Sequence, residues 1–335
     1  MMKQRRSLSE ELLDVFRGIH RVFWRGYVPL IAVLTLIHYP NDTDPSLYPP
    51  QAAAVTHSAA VTVPDTSTAN FYEAAYLGPD SNGIVPRRKG LDYESTAAEA
   101  ATKYQVTPRV VDFVNAHQLK DKKVLEVGSG RGYLQDLVED YTGLDLSPSV
   151  ARHYHKKFVV GSATALPFPD NTFDAIWTVW VLEHISEPEK AIREMRRVLK
   201  PGGKLFLMAA WSCKPWLADG FAVRPYSDFN WRGKLVKASL LLRDTSYFQT
   251  TYMLPTRLLR HLHYSWAGAA TPLHFNKLNP NYSIYWQPDS DAAIDIDGYE
   301  AYLWHRAQGD QCLNCGGAWE EMTKATGALI LQVNK

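Results

Sequence analysis

Apolar side chains recur at helical spacing from Leu12 through Val15, Phe16, Ile19, Val22 and Phe23, while Arg17, Arg21 and Arg25 fall on another face. That pattern describes a basic amphipathic helix. It continues into residues 27–39, an apolar stretch broken by Pro29 and shorter than the roughly 20 residues a spanning helix needs. Three readings fit residues 1–39: a membrane-surface helix or short anchor, a cleaved targeting peptide, or a helix packed on the main domain. No small-residue cleavage site follows, and Glu10, Glu11 and Asp14 interrupt the basic region, which counts against the second. Residues 40–70 lose apolar periodicity and carry Pro40, Pro45, Pro49, Pro50 and Pro64 among many Ser, Thr and Ala, so they read as a flexible linker. The folded domain is expected over 71–335.

Within it, helices are predicted over 93–104 and 108–117, the second with Thr107 as N-cap and Pro108 at its first position. Strands and helices then alternate: strand 123–127, helix 132–141, strand 142–146, helix 148–157 opened by Ser147, strand 158–160 and strand 173–181. A helix follows over 186–199, opened by a Ser186-x-x-Glu189 capping box, and Pro201-Gly202-Gly203 turns the chain into strand 204–209. This alternation predicts an α/β fold, a doubly wound, mostly parallel, Rossmann-like sheet covered on both faces. Residues 211–298 read as a helical, loop-rich insert after the fifth strand, expected to cover the acceptor side. A last helix over 299–308, capped by Asp297, and a strand over 328–333 close the chain.

Charge alters this picture little. The chain of 335 residues holds 36 basic and 35 acidic side chains, so no global field directs it to nucleic acid, and none is expected as a partner. Residues 211–280 depart from that balance, with nine Lys or Arg against Asp219, Asp228 and Asp244, and with twelve aromatic residues threaded among them. Those aromatics suit either the insert's own core or contact with a ligand. Three cysteines, Cys213, Cys312 and Cys315, do not make the framework of a small secreted protein, so a reducing compartment, the cytoplasm, is expected.

The chemistry concentrates between residues 122 and 210. Gly128, Gly130 and Gly132 follow a buried strand directly, where glycine permits a tight turn and lets a ligand approach the backbone. Asp145 ends the next strand, placed to accept hydrogens from both hydroxyls of a ribose. The spacing is Gly-x-Gly-x-Gly, and Tyr133 stands where a dinucleotide fingerprint wants its third glycine. A nicotinamide-dependent oxidoreductase is disfavoured on that ground.

At these residues the sequence resembles the class I methyltransferases, in particular the broad family that includes ubiquinone and menaquinone biosynthesis methyltransferases. Glu126-x-Gly128-x-Gly130-x-Gly132 matches the family's first motif, Asp145 its ribose-binding acid, and the runs 161–174, 180–185 and 193–203 its later segments. The resemblance implies S-adenosyl-L-methionine as cofactor, held by Glu126, Gly128, Ser129, Gly130, Gly132, Asp145, Leu146, Ser162, Ala163 and Val179. Many relatives have an acid where this chain has Ser162. A small-molecule or lipid-like acceptor is expected; membrane association through residues 9–39 is expected only on the first of the three readings of the N-terminal segment.

Methyl transfer asks little of side chains beyond alignment and exclusion of water. His184, just past the fourth strand, is the candidate general base; its alternative is a polar residue at a helix start, facing solvent or bonded to backbone. No metal site is expected. Cys312-x-x-Cys315 is half of a zinc site, with only Cys213 and histidines such as His305 to complete it, and reads better as a free dithiol. Asp289-x-Asp291 lacks the spacing of a calcium loop, and capping and solvation account for it. A cofactor-binding scaffold without turnover remains a rival reading of the whole.

Overall fold

The computed structural model describes residues 17, 20–21, 23–30, 65–77, 93–243, 246–282, 285–324 and 326–335. Five strands of the alternating region are β1 (Lys123–Val127), β2 (Asp140–Asp145), β3 (Lys157–Val160), β4 (Phe173–Val179) and β5 (Leu199–Met208). Two more, β8 (Gln311–Cys312) and β9 (Leu329–Gln332), complete a sheet of order β3-β2-β1-β4-β5-β9-β8. The first five are mutually parallel, and β9 runs antiparallel to both β5 and β8. A separate two-stranded ribbon pairs β6 (Asn276–Lys277) with β7 (Ile294–Asp295). This is the predicted doubly wound, Rossmann-like sheet.

Burial explains why the central strands read as continuous apolar runs. Val124, Leu125, Val127, Ile176, Trp177, Leu205 and Leu207 are all sealed from solvent, because layers cover both faces of the sheet. One layer is α3 (Val106–Ala116), whose Val110 and Phe113 pack beside Phe206; the other contains α4 (Pro188–Val198) and α7 (Gly298–Ala307). Before α3 lie α1 (Asp65–Leu77) and α2 (Tyr93–Lys103). The linker boundary is therefore corrected: Asp65–Asn70, assigned to the linker, begin α1, while 40–64 lie outside the described residues.

Two predicted helices shrink to short turns. Residues 132–141 hold only the 3-10 turn Gln135–Leu137, and 148–157 only Pro148–His153. The eight residues 132–139 must return the chain past β1, whose five residues span about 16 Å, whereas eight α-helical residues would cover only about 12 Å. A 3-10 turn with extended flanks covers more distance per residue. Two caps also differ. Helix α3 starts at Val106 behind Gln105, so Thr107 is not its cap, and α4 starts at Pro188. The capping box at Ser186 does not close, because Glu189 instead accepts from the amide of Leu273 and from Arg193. Asp297 does cap α7, accepting from the amide of Tyr299 at 3.1 Å.

The insert resolves into several pieces. Of the described residues, those within 1–57 and 225–252 cluster as one compact unit, which contains α5 (Trp231–Arg243), and those within 58–224 and 253–335 form the other. Helix α6 (Ser246–Ala267) uses two of the basic residues that set the insert apart. Arg257 makes a two-pronged pair with Asp297, both contacts at 2.7 Å, and Arg260 pairs likewise with Glu300 at 2.9 and 2.6 Å. Such forked pairs fix orientation as well as add energy, so these charges join α6 to α7.

Cys312 and Cys315, expected as a free dithiol, form a disulfide; their Cα atoms stand 5.5 Å apart, within ordinary bridging range. His305 is no partner to them. Fully buried, it faces Asp310 at 2.7 Å, and Arg196 of α4 grips the same carboxylate at 2.8 and 2.9 Å. Burial would raise the carboxyl pKa of Asp310, but hydrogen bonds from His305 and Arg196 hold it below the ordinary range. A carboxylate with a depressed folded pKa stabilises above its unfolded pKa and loses that contribution as pH falls through the folded one. Asp310→Ala strands a buried cation, and should cost about 3–5 kcal/mol in urea unfolding at pH 7. The difference from the parent should narrow in acid; equal midpoints at pH 7 would show the triad to be idle.

Candidate functional site

The carboxyl ends of β1, β2 and β4 open onto a cavity of about 570 Å³, where the strand order reverses between β1 and β4. Its walls include Glu126, Gly128, Ser129, Gly130, Asp145, Leu146, Ser162, Ala163, Val179 and His184, all of them residues singled out from the sequence. That volume suits a ligand of nucleoside size with room for a second group.

The glycine turn is shaped by close approaches. Gly128 has φ 70°, and a Cβ there would lie 2.2 Å from Val181; Gly130 has φ 50°, and its Cβ would meet the Tyr76 hydroxyl at 3.0 Å. Any larger residue would push into the chain leaving β4 or into α1. Gly132 plays a different part. A Cβ there would strike the Tyr154 ring at 2.7 Å, so this glycine lets Tyr154 brace the loop from behind and does not line the cavity. The Tyr154 hydroxyl donates at 2.7 Å to Ser129 Oγ. Asp145 accepts the Gly130 amide at 2.8 Å and the Ser147 amide at 3.0 Å, tying the ends of β1 and β2 together. A carboxylate has about four acceptor positions, which leaves capacity for hydroxyls. Burial raises the Asp145 pKa against those two amide bonds.

Glu126, behind the turn, is 6% exposed and accepts a hydrogen bond from the Tyr141 hydroxyl. Burial pushes its carboxyl up to about 8, with the Tyr141 bond acting in the opposite sense. Ser162 sits at an isolated bridge with Ala165, its hydroxyl 2.9 Å from that of Thr164.

His184 belongs to the 3-10 turn Leu182–His184 that follows β4. It is neither solvent-facing nor free. Its Nδ1 lies 3.4 Å from Asp291 Oδ2 and 3.3 Å from the Asp291 carbonyl, and Nε2 lies 3.8 Å from Glu183 Oε1. Burial would lower its pKa, but the carboxylates of Asp291, Glu183 and Asp289 outweigh that and raise it. Asp289 and Asp291 were assigned to capping and solvation, and that reading is corrected: Asp291 is 1% exposed and accepts from the Tyr72 hydroxyl at 2.7 Å.

The remaining wall comes from an unexpected source. Thr68, Tyr72 and Tyr76 of α1 and Tyr93 of α2 line the cavity, whereas none of its described lining residues falls within 211–298. The expected cover from the insert is thus corrected. Trp211, whose Nε1 donates to the Gly327 carbonyl at 2.7 Å, does not line the cavity. Sequence held one usable signal for α1 and α2, the cluster of Phe71, Tyr72, Tyr76 and Tyr93 beside a region otherwise read as a linker. A second cavity, of about 460 Å³ and lined by Arg109, Glu321 and Lys324 among others, contains none of the expected site residues.

Comparison with known proteins agrees with this geometry. Residues 125–207 match a family model described as a methyltransferase domain. Over 105 residues the chain is 41% identical to a demethylmenaquinone methyltransferase of Renibacterium salmoninarum, covering 29% of this chain and 44% of that protein. Over 52 residues it is 56% identical to the ubiquinone/menaquinone biosynthesis C-methyltransferase UbiE of Citrobacter koseri, covering 16% and 21% respectively. The chain thus spans less than half the length of these curated relatives. Among solved structures, an S-adenosylmethionine-bound amino pentose methyltransferase from Micromonospora echinaspora aligns at 23% identity and a TM-score of 0.30, covering 35% of this chain and 57% of that one. Residues 125–207 thus resemble a methyltransferase domain, carried on the doubly wound sheet.

The elevated Glu126 pKa carries a pH signature. A carboxyl whose folded pKa exceeds its unfolded one stabilises fully below the unfolded value, and that contribution is lost as pH rises through the folded value. In the cofactor-free protein the Glu126 contribution should therefore fade between pH 4.5 and about 8. Glu126→Gln, always neutral, should show a shallower decline of urea midpoint over that window; superimposable profiles would rule the effect out.

Proposed function

We propose that this chain is an S-adenosylmethionine-dependent methyltransferase acting on a small-molecule or lipid-like acceptor. The observation that carries the reading is the convergence on one cavity of Gly128, Gly130, Asp145, Ser162, Ala163 and Val179, contributed by four separate segments. When bound, the cofactor supplies an activated methyl on a cationic sulfur. The chain's own task is to bind, align and exclude water. Asp145 is assigned to ribose hydroxyls, the Gly128–Gly130 turn to the methionine portion, Glu126 to positioning it, and Leu146, Ser162 and Ala163 to the base.

Tyr72, Tyr76 and Tyr93 line the cavity with aromatic rings, which suits an apolar acceptor. His184, lining the same cavity, is assigned the removal of a proton from the acceptor. Carboxylates around it increase its affinity for that proton. The quinone-pathway names of the partial relatives favour an acceptor of the aromatic, lipid-tailed kind.

Asp145→Ala should weaken S-adenosylmethionine binding by about 1.5–3 kcal/mol in calorimetric titration, the scale of hydrogen bonds made by a charged group. Unchanged affinity would remove the assigned site. Incubation of the parent with methyl-labelled cofactor and a lysate split into lipid, small-molecule and macromolecular fractions should label one of the first two. Binding with no labelled product in any fraction would favour the scaffold reading.

Membrane-surface association is a further part of the proposal. Among the described residues, no helix is long and apolar enough to cross a membrane. Trp24, 56% exposed, and Leu30 project from the N-terminal segment near Arg17, Arg21 and Arg25, the combination that suits an interfacial helix. The full chain should co-sediment with anionic vesicles at low salt, and Trp24→Glu should reduce that binding several-fold. A parent protein that stays in the supernatant would exclude the idea.

A further inference from the structure

Beside the cavity, His184 stands among acidic side chains that the proposed methyl transfer does not otherwise use. Glu183 is fully buried, and neither carboxylate oxygen has a hydrogen-bonding partner of ordinary geometry. Its near neighbours are His184 and Asp289; one ligand-capable atom from each of the three lies within 4.8 Å of the other two. A buried carboxylate with only the poorly aligned backbone amides of its own residue and of Ala210 beside it is under-satisfied, and clustering a second one beside it adds repulsion. A dication removes both penalties together.

The orientation of His184 supplies an independent indication. Histidines that ligate metals commonly donate through the other ring nitrogen to a carboxylate or carbonyl, which fixes the ring and its tautomer. Here Nδ1 faces both the carbonyl and the carboxylate of Asp291, at 3.3 and 3.4 Å, and leaves Nε2 turned toward Glu183. Asp291 is itself held by the Tyr72 hydroxyl at 2.7 Å. The two ligand-bearing segments are also joined through the backbone, for the amide of Ala293 donates to the Glu183 carbonyl at 2.8 Å. Within the loop, Ser290 Oγ donates to the Gln287 carbonyl at 2.6 Å and accepts from the Gln287 amide at 3.0 Å, which sets the turn that presents Asp289.

We propose that Glu183, His184 through Nε2, and Asp289 form a binding site for one divalent transition-metal ion, with Asp291 and Tyr72 as positioning residues behind the histidine. One imidazole with two carboxylates is a donor set that suits borderline Zn²⁺ through its nitrogen and the harder Mn²⁺ through its oxygens. Ligand atoms about 2.1 Å from an ion stand roughly 3–3.5 Å apart, so small side-chain rotations close the present separations. Three protein ligands leave coordination positions for water or an acceptor oxygen. The ion's use in activating an acceptor rests on the methyltransferase reading, in which it would take over the task assigned to His184; its binding does not.

The test uses Mn²⁺ alone, titrated into full-length protein stripped of metal by chelation, with neither cofactor nor acceptor present. Loss of the free-ion electron paramagnetic resonance signal should show one site per chain at micromolar Mn²⁺, with nitrogen coupling from a single imidazole. Zn²⁺ should displace the bound ion. Glu183→Gln and Asp289→Asn should each weaken binding at least tenfold. Asp291→Asn should weaken it by about 10–100-fold, the range for outer partners of a ligating histidine, and broaden the imidazole coupling. Melting temperatures establish which variants are folded, and the coupling in the parent protein stands even if none is. A parent that leaves both ions free at 100-fold excess over micromolar, as about 0.1 mM, overturns the proposal. So does bound Mn²⁺ lacking nitrogen coupling, or affinity unchanged in folded Glu183→Gln and Asp289→Asn. Failure of methyl transfer bears on none of these readouts, and metal binding can fail while the cofactor still binds.

Discussion

Everything at the site depends on how closely three strand ends are drawn together. The amides of Gly128 and Ser129 donate to the Leu144 carbonyl at 2.8 and 3.0 Å, and that of Gly130 to the Asp145 carboxylate. These bonds fold the exit of β1 over the end of β2, while Val181 closes on Gly128 from the β4 side. A methyl group at Gly128 has no place to go. The cavity exists because the backbone takes the volume that side chains would otherwise fill, and its floor is consequently lined with peptide groups and two buried carboxylates, Glu126 and Asp145.

The rest of the molecule divides its labour around that floor. Apolar layers on both faces make the sheet rigid, and charge is used mainly where elements outside the sheet must be aligned. Arg257 and Arg260 fasten α6 to α7, and Arg196 fastens α4 to Asp310. A forked guanidinium pair specifies an angle that a greasy contact would leave loose. The insert's positive charge, conspicuous in sequence, is thus partly structural, and the aromatic wall of the cavity comes from α1 and α2.

Beyond β4 the polar groups gather more densely than a cofactor site needs. Glu183 and His184 come from one turn and Asp289 and Asp291 from a loop about a hundred residues later, and the packing of that loop brings four ionisable groups into a nearly dry space. Only Asp291 receives a hydroxyl donor from outside the group, from Tyr72. In a low dielectric such an arrangement is strongly biased toward whatever adds positive charge, a proton or an ion. Its position at the cavity edge makes that bias available to chemistry.

The sequence alone determined the sheet, the glycine turn and Asp145. Period-two and continuous apolar runs report burial directly, and a Gly-x-Gly-x-Gly spacing after a strand has few backbone conformations open to it. It determined Asp297 as the cap of α7 for a similar reason, since capping is decided within four residues. What local pattern could not decide was span and partnership. The helix predicted over 132–141 gave way to a 3-10 turn because the span the chain must cover outweighed propensity, and that over 148–157 shortened to the 3-10 turn Pro148–His153. The box at Ser186 stayed open because Glu189 found the amide of Leu273. Asp289 and Asp291 looked solvated because the run Pro288-Asp289-Ser290-Asp291 reads locally as a polar turn; the fold carries them beside His184. The lid over the cavity was assigned to the insert, yet α1 and α2 supply it, since which segment closes over a sheet depends on contacts far apart in sequence that no local periodicity encodes.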